Sequence, residues 1–195
     1  MGLGLKKTTL NESAPVFQAM HETAQGGFKL DTTDLVAGAI LVAGTPIAFD
    51  EATRLAKPVK TAVLQADAAN NATNYRVKKG HLLKVGENFG ATKGGAAYAI
   101  TAIDTSNPAY DQLTLGTTLG VALTTGTSLF QSSATGGSAA AVSGVAKGLL
   151  FEDTEVEANQ SLSVVLRGTV YERRIPGVPD EIKAVLPNII FSKSF

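Results

Sequence analysis

The chain contains no cysteine and no tryptophan. The first absence removes disulfides, thiol catalysis and cysteine-ligated zinc together. The second, with aromatic residues at only 6%, leaves no obvious cluster of exposed rings for stacking on sugars or bases. Neither sign of charge is in excess: 17 basic residues balance 17 acidic ones, so the chain carries no electrostatic footprint for nucleic acid or an anionic membrane, and neither is expected as a partner. No apolar run reaches the length of a membrane span, and Met1 to Leu10 lacks the apolar core of a secretory signal. A soluble protein is expected. What the chain does have is glycine (20 residues) with abundant alanine, threonine, valine and leucine, a palette for thin β structure and long contact surfaces more than for a deep pocket. Its 195 residues suffice for a sizeable core, in one domain or in a domain carrying an insertion.

The clearest local structure lies between Gly144 and Arg174. Leu162, Val164, Leu166 and Val170 alternate with Ser163, Val165, Arg167, Thr169 and Tyr171, the period of a strand with one apolar face. Gly168 interrupts the apolar row, which marks a bulge, a sharp bend or a second backbone pressing close. Val145 to Phe151 is the expected partner. The acidic run Glu152, Asp153, Glu155 and Glu157 leads from it into a turn at Ala158-Asn159-Gln160. Together they predict a hairpin or its open equivalent, half of a β-barrel.

Residues 1–27 read as an arm. Gly2, Gly4, Lys6, Lys7, Thr8 and Thr9 form an open polar start. Pro15 to Gln25 then carries Val16, Ala19, Met20 and Thr23 at helical spacing, with Asn11 or Ser13 as cap and Gly26-Gly27 as stop. A short amphipathic helix is expected there, resting on its own domain or on a partner. From Phe28 the signal is β: strands at Leu35–Leu41, Pro46–Phe49 and Val59–Gln65, with a turn at Val42–Thr45 and a connection at Asp50–Arg54. One unit recurs in LVAGTPI (41–47), VKKGHLL (77–83), LKVGENF (83–89) and LTTGTSL (123–129). Each places glycine where a turn needs positive φ, between apolar residues that pin it to a core. Polar borders at Ala66–Asn74 and Gln131–Gly144 enclose candidate strands at 75–78, 82–85, 97–103, 112–115, 121–123 and 128–131. The resulting organisation is a discontinuous β host (28–69 and 143–195) with an inserted β module (70–142). Excision of residues 70–140 should then leave the host folded. Pro179–Leu186 predicts a helix of about two turns with Ile182, Val185 and Leu186 on one face. Asn188–Phe195 predicts a closing strand.

Chemistry is hard to find. His21 and His81 have no sequence neighbours that make a metal or triad pattern. The pairs Asp31/Asp34 and Asp104/Asp111 read as turn formers. Glu152 to Glu157 lacks the alternating loop that wraps calcium and reads as a solvated strand end. Gly94-Gly95 and Gly136-Gly137 lack the context of a phosphate cradle. Arg76, Lys78, Lys79 and Lys84 read as a charged edge strand guarded against aggregation. No catalytic residue, metal or cofactor is expected. The apolar stretches Leu149, Leu150, Phe151 and Ile189 to Phe191 exceed what one small barrel is expected to cover, and with Arg173 and Arg174 they are the candidate subunit interface of a homo-oligomer.

Two host segments in this order, LVAGTPIAFDEATRLAKPV (41–59) and GLLFEDTEVEANQSLSVVLRGTV (148–170), carry a resemblance. The chain resembles the lambda-type head decoration proteins of tailed phages and related phage head-fibre proteins, over the host segments and not the insert. The resemblance implies an all-β, barrel or β-tulip-like body, usually a homotrimer, seated on the outer capsid surface of the virion with the major capsid protein as partner. It also implies an N-terminal arm that orders on the shell. On that reading Leu5, Lys6, Lys7, Thr8, Thr9 and Leu10 add backbone hydrogen bonds to an exposed strand edge, while Val16, Phe17 and Met20 fill an apolar groove. The alternative is a carbohydrate-binding or adhesion module of a phage or bacterial surface assembly.

Overall fold

The computed structural model describes residues 15–24 and 27–194. The chain is mainly β. Its described part opens with strand β1 (Phe17–Thr23), followed by β2 (Phe28–Leu30), β3 (Ile40–Leu41), β4 (Pro46–Asp50) and β5 (Leu55–Pro58). The middle of the chain supplies β6 (Thr61–Val63), β7 (Asn74–Val77), β8 (Asn88–Gly90), β9 (Ala97–Asp104), β10 (Asp111–Leu115) and β11 (Ser128–Ser132). It ends with β12 (Gly148–Leu150), β13 (Thr154–Glu155), β14 (Ser161–Leu162), β15 (Val164–Tyr171), the short helix α1 (Asp180–Lys183) and β16 (Ile189–Ser192).

The first and last groups form one eight-stranded sheet in the order β1-β15-β12-β4-β5-β2-β14, with β16 parallel to β15. Because β14 runs into β15 across Ser163 alone, the sheet curls until both ends of its central path lie on one chain segment. Phe28, Leu30, Ile47, Phe49, Leu150, Leu162 and Val164 pack inside the curl, with the Phe28 and Phe49 rings stacked at 4.2 Å. The expected single apolar face of β15 is in fact two. Val164 faces the curled interior, while Val165 and Val170 pack outside it beneath Ile182, Leu186 and Ile189. Leu150 and Leu149 divide the same way, and register pairs them with Val164 and Val165 as the open hairpin requires.

The middle group forms a second sheet, β6-β11-β8-β9-β10-β7, antiparallel throughout. It closes into a ring: Leu64 bridges Val77, Lys78 N donates to Val63 O and Gln65 N to Arg76 O, each at 2.8 Å. Tyr75, Phe89, Ile100, Leu113 and Leu129 fill it. Two readings change as a result. β6, expected in the host, is a stave of this second barrel, so a cut at residue 70 would strip it of its neighbours. β7, expected as a charged edge, is paired on both sides, because barrel closure removes edges.

Other differences share one cause, local pattern overridden by distant partners. The expected helix over Pro15–Gln25 is strand β1, recruited by the free edge of β15 with Phe17 opposite Val170 and Met20 opposite Gly168. A Cβ on Gly168 would sit 2.6 Å from the Ala19 carbonyl oxygen, so a close backbone approach is why glycine stands there. Leu35–Leu41 is a strand only at Ile40–Leu41, and 82–85 is not a strand. Leu82 reaches the first core and Leu83 the second, which leaves that backbone crossing between barrels instead of pairing in either. The helix α1 is one turn, extended by turns to Leu186, with Ile182 and Leu186 buried and Val185 exposed.

Candidate functional site

β1 leaves a groove of about 800 Å³ between itself, the turn at 42–45 and the start of the acidic run. Val16, Phe17, Met20, Val42 and Phe151 supply its apolar wall. The Phe17 and Phe151 rings lie 6.3 Å apart, tilted by 38°. Met20 is 45% exposed, although it stands on the strand that shields one edge of β15. Arg174 anchors one end: its Nη1 donates to the Pro15 carbonyl at 2.8 Å, and its guanidinium lies 4.5 Å from the Tyr171 ring centre. Tyr171 N donates to Val16 O at 2.9 Å, fixing where the chain enters β1. Glu152 and Asp153 form an acidic lip, and Asp153 Oδ1 accepts from Ala43 N at 2.7 Å. That bond ties the lip to a turn in which Thr45 N donates to Val42 O. The surface is apolar with an anchored cation at one end and carboxylates along one side, suited to an extended segment bearing apolar and basic side chains.

The groove brings together residues assigned above to different roles, Val16, Phe17 and Met20 from the arm and Phe151 and Arg174 from the subunit interface. Leu5, Lys6, Lys7, Thr8, Thr9 and Leu10 lie outside the described residues. Leu149, Leu150 and Ile189 are corrected: they are buried at 0%, 0% and 6% in the chain's own cores, because α1 and the curl of the sheet already cover both faces of β12. No second copy is needed to shield them. Phe191 is half-buried near the Lys183 ammonium, Arg173 stands exposed on the turn after β15, and Ile190 projects outward at 63% exposure. Sequence reasoning missed Val42, Ala43 and Asp153 as groove residues. Their pairing spans 110 positions and leaves no local signal.

Several acidic residues elsewhere are tied into local structure. Asp31 and Asp34 do converge, on Lys57 Nζ at 3.1 and 3.5 Å. The Thr33 hydroxyl and N–H, then Lys57, hold the Asp31 carboxyl down to about 2. Asp104 accepts from Ser106 N at 2.9 Å, whereas Asp111 pairs with Lys79 at 2.6 Å. Among the described residues no three His, Cys, Asp or Glu side chains gather as a metal would require. His21 is exposed on β1, and the His81 side chain is buried at the second barrel. No family model, curated protein or solved structure matches the chain.

Proposed function

We propose that the chain is a structural subunit of a phage virion, bound to the outside of the capsid as a decoration or head-fibre protein. The groove beside β1 is the observation that carries this reading. It joins the residues expected to meet the shell with two expected to meet a neighbouring subunit, in a surface that suits an extended protein segment. The resemblance of residues 41–59 and 148–170 to head decoration proteins supports the same assignment. In it, residues 1–27 and the groove face the major capsid protein, the curled sheet forms the body of a homotrimer, and the second barrel is the module presented outward.

Sedimentation with assembled heads of the phage that encodes the chain tests it. The intact protein should pellet with the heads. A variant lacking residues 1–14, and Met20→Glu at the exposed centre of the groove, should stay folded and remain in the supernatant. An intact protein that stays in the supernatant sinks the proposal, and a Met20→Glu protein that still pellets at full occupancy moves attachment away from the groove.

A further inference from the structure

The two barrels meet at a joint made by a few side chains. Lys60, at the crossing into the second barrel, donates from Nζ to the Asp34 carbonyl at 2.7 Å and pairs with Glu87. Lys93 N donates to Glu181 Oε1 at 3.1 Å. Gly177 presses so close to Val63 and Ser128 that a Cβ there would lie 2.2 and 2.5 Å from their side-chain atoms. The fourth contact is the segment Gly80–Lys84, whose Leu82 enters the first core and Leu83 the second, and whose Lys84 N donates to Glu87 Oε2 at 2.9 Å.

His81 sits in that last segment, its side chain only 6% exposed. Among the described residues neither ring nitrogen has a hydrogen-bond partner, which is costly for a buried polar group and rare in a settled structure. Asp111 Oδ2 on β10 lies 3.5 Å from Nε2, and the other oxygen of that carboxylate is taken by Lys79 Nζ at 2.6 Å. Glu87, before β8, adds a second negative charge, while Lys78 and Arg174 line the adjoining cleft of about 320 Å³ with His81. We propose that His81 is a pH-sensitive latch of the inter-barrel joint, neutral and enclosed when the joint is closed and protonated in water when the segment Gly80–Lys84 swings out.

Removal from water drives the imidazole below the ordinary histidine value of 6.5; Asp111 opposes this, Lys79 assists it and Glu87 opposes it. Opening returns the ring to water and to its ordinary affinity for a proton. The sign follows from linkage: the open form binds the extra proton, so acid favours it. The closed joint is most favoured above pH 6.5, and the open population rises by up to about tenfold per pH unit below it. The rise stops once pH falls below the value of the enclosed ring. The inference does not rest on the capsid reading, and its test uses the isolated protein.

With only His21 and His81 in the chain, nitrogen-15 NMR of the imidazoles gives two pairs of ring-nitrogen signals, one from His21, exposed on β1, and one from His81. Exchange of the Lys84 amide, corrected for the intrinsic effect of pH, reports opening. Its exchange should accelerate by up to about tenfold per pH unit below 6.5 in the native protein, while the His81 signal of the closed form stays neutral, and should level off where that signal becomes charged. In His81→Phe, and in His81→Gln should phenylalanine prevent folding, the acceleration should vanish. An equal acid slope in those variants, or a His81 ring that gains its proton with no change at Lys84, overturns the proposal.

Discussion

Lys60→Met isolates the electrostatic part of the joint. Methionine keeps most of the aliphatic stem, so the packing around residue 60 persists and the lost groups are one ammonium and its bonds. Lys60 and Glu87 side chains are 3% and 15% exposed, so the pair is nearly dehydrated. Without Nζ, Glu87 keeps one described donor, Lys84 N at 2.9 Å, and the Asp34 carbonyl loses its ammonium partner. Breaking a buried pair from one side costs about 3–5 kcal/mol, because the remaining charge stays enclosed without compensation. The residual exposure of Glu87 places the expected loss at the lower end, about 3 kcal/mol, which for a chain of this size is a fall of roughly 6–12 °C in Tm. Adding Glu87→Gln removes the stranded charge while keeping an oxygen for Lys84 N. The double variant should therefore return to within about 1 kcal/mol of the native protein. Calorimetry and urea titration of the four proteins complete the cycle. A loss below about 0.5 kcal/mol in Lys60→Met, or a double variant as unstable as the single one, refutes the argument that an enclosed unpaired carboxylate is what costs stability.

Gly168→Ala places a methyl 2.6 Å from the Ala19 carbonyl, and a loss of about 1–3 kcal/mol is expected, with faster amide exchange along β1 than elsewhere. Unchanged exchange on β1 removes the close-approach explanation for that glycine. Asp31 is held at about 2 against an ordinary 3.8, so its contribution is present above pH 3.8 and is lost as pH falls toward 2. Asp31→Asn should flatten acid unfolding in that window, and an unaltered acid curve counts against a role for Thr33 and Lys57 there. Replacing residues 61–143 by a short Gly/Ser linker, with Lys60→Met, should leave a folded β protein by circular dichroism, since a Cβ placed on Gly144 would lie only 3.7 Å from Val59 Cγ2, so the two ends are neighbours. An excision of 70–140 should instead aggregate, because it leaves β6 without β11, and equal behaviour of the two deletions removes the assigned border.

What the sequence made legible is what local chemistry decides. Val42–Thr45 is a turn as expected, and the recurring glycine unit predicts more: Gly44, Gly86 and Gly126 all have positive φ, at 82°, 91° and 88°. In each the residue after glycine donates its N–H three positions back, to Val42, Lys84 and Thr124, which makes them type II turns. The strands at 46, 75, 97, 112, 128 and 189 were legible because alternation and turn residues agree there. The arm was not. Val16, Ala19 and Met20 satisfy a helical spacing, yet Phe17 and Ala19 also satisfy the strand period, and the deciding partner, β15, lies about 150 positions away.

The same limit explains the candidate site. Every wall of the groove comes from a segment whose local role is ordinary: a strand entry at Val16, a turn at Val42, an acidic strand end at Asp153 and a turn cation at Arg174. The groove arises because β1 was recruited as the outer neighbour of β15, which carries Phe17 toward Phe151 and brings the Pro15 carbonyl to Arg174. Its position thus depends on one packed contact, the approach of Ala19 to Gly168. A change that peels β1 from β15 should remove the groove and the packing of Val16 and Phe17, while Val165 and Val170 remain covered by Ile182, Leu186 and Ile189. Surface and scaffold are therefore separable in this chain, and the groove can be lost with little loss of the rest of the fold.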